Sequence, residues 1–124
     1  RAQWNGMKTL RAGFTTVRNL GDRTGATLAL REAVEAGWVM GPRIVDAGRS
    51  ISVTSGHTDA TLGVAESFWN AIEQDNTCNG VESCRLAVRE QIRRGADVVK
   101  IATTGGVNSR IGAGIEQQMF ADEA

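Results

Sequence analysis

Apolar and polar positions along the chain fall into one phrase that repeats three times. An amphipathic stretch with helical spacing leads to a glycine, then to a β-branched run that ends in glycine or polar residues. The stretches are Gln3 to Ala12, Thr27 to Ala36 and Val81 to Arg94, and the glycines are Gly13, Gly37 and Gly95. The runs are Phe14 to Gly21, Arg43 to Gly48 and Val98 to Thr103. Each glycine stands where a helix needs a left-handed residue to end. In the third helix Val81, Cys84, Ala87, Val88 and Ile92 form one apolar stripe, with Arg85, Arg89, Glu90 and Arg93 off it. Leu28, Leu30, Ala33, Val34 and Ala36 do the same less cleanly in the second. Trp4, Trp38 and Trp69 are expected to be packing residues.

Helix and strand in alternation predict βα units around a parallel sheet, hence an α/β fold with three strands. Parallel strands are covered on both faces and read as unbroken apolar runs. Val98 to Ile101 fits, except for Lys100. The stretch from Ser50 to Gly80 is too long for a simple connection, and such loops are usually functional. It follows the second strand, so it lies where α/β folds place their chemistry. Leu62 to Gln74 within it reads as a short helix.

Length changes this picture. A complete (β/α)8 barrel takes about 250 residues, and the chain has 124. It starts at Arg1 and ends on Asp122-Glu123-Ala124, which reads as a helix opening, so a portion of something longer is expected. Net charge is zero, which excludes the basic footprint of a nucleic-acid binder. No apolar run approaches the roughly 20 residues of a membrane span. No leader is visible, and cytoplasm and periplasm both stay open. Cys78 and Cys84 are too few for a zinc clip, and two free thiols are expected, with a local disulfide as the alternative in an exported protein.

Lys100 carries the sharpest chemical signal. It is one of two lysines, the other being Lys8, and it interrupts the apolar run Asp97-Val98-Val99-Lys100-Ile101-Ala102. Lysine is rarely buried without a partner. It could pair with a carboxylate, sit at a partly exposed strand end, act as a neutral Schiff-base nucleophile, or add carbon dioxide to form a metal-bridging carbamate. His57, the single histidine, stands in the polar loop Thr54-Ser55-Gly56-His57-Thr58-Asp59, where it could be a surface residue or a ligand and Asp59 could orient its ring. Gly105 and Gly106 either make a tight turn or let backbone approach a substrate. Arg18, Asn19 and Asp22 close the first strand, where they could hydrogen-bond substrate; pairing between neighbouring strands is expected. No P-loop, Ser/His/Asp arrangement or HExxH is present.

Three stretches resemble the amidohydrolase superfamily, in its prolidase and imidazolonepropionase-like branch. Ala12-Gly13-Phe14-Thr15-Thr16-Val17-Arg18-Asn19-Leu20-Gly21 is similar to that branch's AGFTTVRDLG strand. Gly41-Pro42-Arg43-Ile44 through Gly56-His57-Thr58-Asp59 is similar to its GPRI…TGGHGD stretch, with Ser55 where a glycine is usual. Ala87-Val88-Arg89-Glu90-Gln91 through Gly95-Ala96-Asp97-Val98-Val99-Lys100-Ile101 and Gly105-Gly106-Val107 resembles its AVREQ…GADxIKIxxxGGV stretch. The resemblance implies that residues 1–124 are an incomplete barrel domain, about strands two to four of a (β/α)8 TIM barrel with their helices. It implies a binuclear divalent metal site, usually zinc, bridged by a CO2-derived carbamate on Lys100. It makes His57 a candidate contact to the substrate's carboxylate, and Gly105 and Gly106 stand with it as candidate substrate-binding residues. The family's HxH pair, two further histidines and an aspartate are not in this chain. The implied partner is a dipeptide or N-acyl amino acid, hydrolysed by the full-length enzyme, whose oligomeric state stays open. Two alternatives remain: a Schiff-base aldolase, since Gly95 to Lys100 with Thr103-Thr104-Gly105 also resembles the active-lysine strand of deoxyribose-phosphate aldolases, and an inactive fragment.

Overall fold

The computed structural model describes residues 1–72, 74–107 and 114–124. Three helices carry the repeating phrase: α1 (Ala2–Arg11), α2 (Ala26–Glu35) and α3 (Val81–Arg93). All three end in the same way. Gly13, Gly37 and Gly95 take φ of 96°, 73° and 90°. The glycine N–H donates to a carbonyl three residues back, from Gly13 to Leu10, Gly37 to Val34 and Gly95 to Ile92. The next N–H reaches five back, from Phe14 to Thr9, Trp38 to Ala33 and Ala96 to Gln91. This is the Schellman arrangement, which satisfies carbonyls that the helix leaves open.

After α1 comes β1 (Thr16–Asn19), and after α2 comes β2 (Arg43–Asp46). They pair in parallel, with Thr16 opposite Arg43 and Asn19 opposite Asp46. The ladder runs past both ends: Arg43 N donates to Thr15 O at 2.8 Å and Ala47 N to Asn19 O at 3.0 Å. Leu30 and Ile44 are buried where α2 covers the sheet.

The third strand, expected over Val98 to Thr103, is a segment held by isolated bridges rather than a ladder strand. Asp97 N donates to Asp46 O at 2.8 Å, and a single parallel bridge joins Ile51 to Ile101. Between these points β2's continuation turns away. Gly48 N–H goes to Asp46 Oδ1 and Arg49 N–H to the Gln91 side-chain carbonyl at 2.9 Å. Neither donor is left for a neighbouring strand. Beyond the turn, Ile51 N donates to Lys100 O and Ala102 N to Ile51 O, both at 2.8 Å.

The long stretch after β2 wraps back on itself. Ser52 N donates to Asn76 O and Cys78 N to Ser52 O, a second parallel bridge at Ser52–Thr77. The short helix expected over Leu62 to Gln74 is a 3-10 helix, Glu66–Ala71, and Glu73 lies outside the described residues. Cys78 and Cys84 form a disulfide, against the free thiols expected. The turn through Gly80 into α3 brings their Cα atoms within 4.8 Å, inside bridging range. Ile51, Val53, Cys78, Cys84, Ala87 and Met119 are the core of this half.

Other expectations need correction. Ile92 is exposed, and fully buried Gln91 takes its place in α3's inward face, because its amide is consumed by Arg49 N–H. The three tryptophans are exposed: Trp38 is 81% accessible, Trp4 lies under the Lys8 ammonium, and Trp69 donates its indole N–H to Val64 O. The helix opening expected at Asp122-Glu123-Ala124 is a single turn, Glu123 N to Phe120 O. Among the described residues no helix is long and apolar enough to cross a membrane.

Candidate functional site

The C-terminal ends of β1 and β2 are held by a polar network. Asn19 Nδ2 donates to Asp46 Oδ2 across the two strands and to Thr27 Oγ1 at the start of α2. Asp22 accepts from the backbone N–H and hydroxyl of both Thr24 and Thr27, which caps α2. Burial pushes the Asp22 carboxyl up, but the four hydrogen bonds outweigh it and bring it down to about 2. Asn19 therefore pairs across the two strands, as expected, whereas Asp22 bonds the start of α2 rather than a neighbouring strand. On the other flank Asp97 receives Asp46 N–H and the Arg31 guanidinium, and these hold its carboxyl below the usual carboxylate range.

The loop bearing His57 is a pair of tight turns. Gly56 N donates to Val53 O and Asp59 N to Gly56 O. Ser55 adopts φ of 61°, a left-handed conformation that favours glycine. Asp59 does not orient the imidazole. Its carboxylate accepts from Ser55 N at 2.8 Å and from the Thr61 N–H and hydroxyl. Burial raises the Asp59 carboxyl, and these bonds together with nearby Arg23 bring it below its ordinary value. Thr58 Oγ1 donates to Ser50 O and Arg23 Nη2 to Thr58 O, which fixes the loop over the end of β2.

His57 is exposed, and its backbone N–H donates to Gln118 Oε1 at 2.9 Å. Its imidazole lies against Gly106: a Cβ built there would fall 2.3 Å from Cε1. Gly105 is crowded differently, by the Gly114 carbonyl oxygen, 1.9 Å from where its Cβ would be. The loops after β2 and after the third segment thus meet at His57 and Gly106. Gln118 had no signal in the pattern, being 61 residues from its partner. His57 also lines a cavity of about 250 Å³ with Asp22, Arg23, Arg49, Ser50 and Asn76.

Lys100 is half-buried on the third segment, level with Ile51 and beyond the end of β2. Its Nζ donates to Ile101 O at 2.9 Å. Among the described residues it makes no ion pair with a carboxylate. Lys100 and the His57 loop converge on one point of the backbone, since Lys100 O accepts from Ile51 N and Ser50 O from Thr58.

Comparison with known proteins gives this arrangement a context. The sequence profile of the Amidohydrolase family matches residues 3–124. Ochratoxinase of Aspergillus niger is 35% identical over 118 residues, a match covering 83% of this chain and 23% of that protein. A crystal structure of a Xaa-Pro dipeptidase with methionine in its active site superposes with a TM-score of 0.91 at 37% identity, over 97% of this chain and 30% of that one. The crystal structure of A. niger ochratoxinase gives 0.78 at 29% identity, over 98% of this chain and 30% of that one. A prolidase complexed with N-methylphosphonate-L-proline gives 0.69 at 36% identity, over 93% and 28%. The chain therefore spans less than a third of the length of these relatives. They are amidohydrolases of the TIM-barrel type, and this α/β stretch corresponds to part of that fold. The match takes in the Lys100 strand together with everything upstream of it, which sets the aldolase resemblance aside. With nearly its whole length matched, the chain belongs to the amidohydrolase family.

Proposed function

We propose that the full-length protein is a metal-dependent hydrolase of amide or peptide bonds in which Lys100, as a carbamate, bridges two divalent ions, zinc by preference. The observation that supports this most directly is the condition of the amine. It is half-buried beyond the end of β2, and no carboxylate neutralises it among the described residues. Such an amine, once deprotonated, adds its lone pair to carbon dioxide and releases a proton, leaving an anionic oxygen donor. One donor is what these residues bring: among those described, no three His, Cys, Asp or Glu side chains stand together as a metal cluster. The remaining ligands are assigned to the rest of the longer protein, and so is the activity. Bound metal would supply an acidified water and a polarised scissile carbonyl.

The chain's own residues bind and orient. His57, at the edge of the cavity, donates an N–H to the substrate's carboxylate, and Gly105 and Gly106 keep the facing loop free of side chains. Dipeptides and N-acyl amino acids are the substrate class, in keeping with the names of the Xaa-Pro dipeptidase and prolidase relatives. The test is to incubate purified full-length protein with proline-terminated dipeptides and N-acyl amino acids before and after chelation. Free amino acid should appear, stop on metal removal and resume with zinc. Turnover that survives complete metal removal, or no amide hydrolysis with metal present, contradicts the proposal.

A further inference from the structure

Gly106, like Gly41 beside Val34, is crowded by a side chain rather than by backbone, and here the side chain is the His57 imidazole. A Cβ on Gly106 would lie 2.3 Å from Cε1, 2.6 Å from Nδ1 and 2.9 Å from Nε2 of His57. All three nearest atoms belong to one exposed ring, and none is backbone. At Gly105 the obstacle is the Gly114 carbonyl, and at Gly56 the Ser52 hydroxyl at 2.1 Å and Val53 O at 2.8 Å. Gly106 is not among the glycines with positive φ, so no left-handed backbone calls for glycine there. The atoms nearest to the missing side chain all belong to the imidazole.

The backbone beneath the ring is anchored independently. His57 N–H is held by Gln118, Ser55 N–H by Asp59, and the Thr58 hydroxyl by Ser50 O. A methyl group at position 106 would displace the ring and leave the loop in place. That ring lines the cavity it shares with Arg49, Ser50 and Asn76, so its displacement alters the cavity wall.

We infer that Gly106 is a positioning residue for substrate: by seating the His57 imidazole flat against backbone, it sets where the ring's N–H meets the carboxylate of an N-acyl amino acid or dipeptide. This rests on the reading of His57 as the carboxylate contact. In the full-length enzyme, Gly106→Ala should raise KM for a substrate with a free carboxylate by about tenfold or more, the loss of a charge-assisted hydrogen bond, and move kcat less. For the corresponding carboxamide substrate, KM should be unaffected by the substitution. His57→Ala should raise KM for the free carboxylate similarly, and adding Gly106→Ala to it should have no further effect, because the ring is gone.

Each departure has a distinct meaning. Unchanged KM in His57→Ala overturns both the carboxylate reading and the inference built on it. A raised KM in His57→Ala with an unchanged one in Gly106→Ala overturns the seating role alone. If Gly106→Ala fails to fold, the double variant decides: folding restored without the imidazole supports the clash with the ring, and folding still lost overturns it.

Discussion

The two halves of the chain are held by different kinds of bond. From α1 to β2 the backbone does most of the work: a continuous parallel ladder, Schellman ends and the Asp22 cap on α2. From Gly48 onward the ladder shrinks to single bridges, and side chains take over. Gln91 holds Arg49 N–H, Asp75 is gripped by Arg49 and Arg94, Asn76 and Asn79 tie back to Ser50 and Thr54, and one disulfide joins the returning loop to α3. The first half makes a scaffold with few degrees of freedom. The second places His57, Gly106 and Lys100, which come from loops and a segment that regular strand pairing does not position.

Substitutions can break or sharpen this contrast, and the largest effect is expected at Gln91. Gln91→Ala removes the buried acceptor of Arg49 N–H and leaves a cavity, at about 3 kcal/mol. Amide hydrogen exchange should speed up over residues 48–52 and 97–102 and hold over β1 and α2. Uniform acceleration would erase the distinction between the halves. Next comes the disulfide. Replacing both Cys78 and Cys84 with serine, at a sequence separation of six, should cost about 2 kcal/mol in chemical denaturation. Unchanged stability after replacement would show that the hydrogen bonds at Ser52 suffice to hold the loop.

Asp22 probes the scaffold half. Its carboxyl titrates at about 2 in the folded chain against 3.8 ordinarily. The stabilisation it contributes is nearly complete above about pH 4 and is lost as pH falls through about 2. Asp22→Asn should therefore cost about 1 kcal/mol at pH 7, after allowance for its partial exposure, and progressively less as pH falls through the folded value. A pH-independent loss would place the effect in packing. The smallest effect belongs to Ser55→Gly, which relieves a left-handed serine and should stabilise the His57 loop by at most about 1 kcal/mol. A destabilised loop would mean that the serine side chain makes up for its backbone conformation.

The same contrast explains what could be read from the pattern. Helices with their glycine ends and the two paired strands were legible because each is local: spacing, a cap and a β-branched run. The third strand was not, because its ladder is broken by Gln91, 42 residues from the backbone N–H it captures. A buried glutamine in a helix is indistinguishable by periodicity from a solvated one. Spacing alone leaves Asp59 free to orient the His57 ring, whereas local N–H groups at Ser55 and Thr61 claim its carboxylate first. The disulfide depended on a turn that brings Cys78 and Cys84 together, which the count of cysteines does not reveal. Lys100 and His57 were legible as unusual residues in place, but their common anchor at Ser50 and Ile51 required three dimensions.

Metal content of the full-length protein, measured alongside turnover for the parent and Lys100→Ala, bears most directly on the role given to that amine. The parent should hold two divalent ions per chain and the variant fewer than two, with turnover lower by orders of magnitude. Two ions per chain and normal turnover in Lys100→Ala would contradict that role.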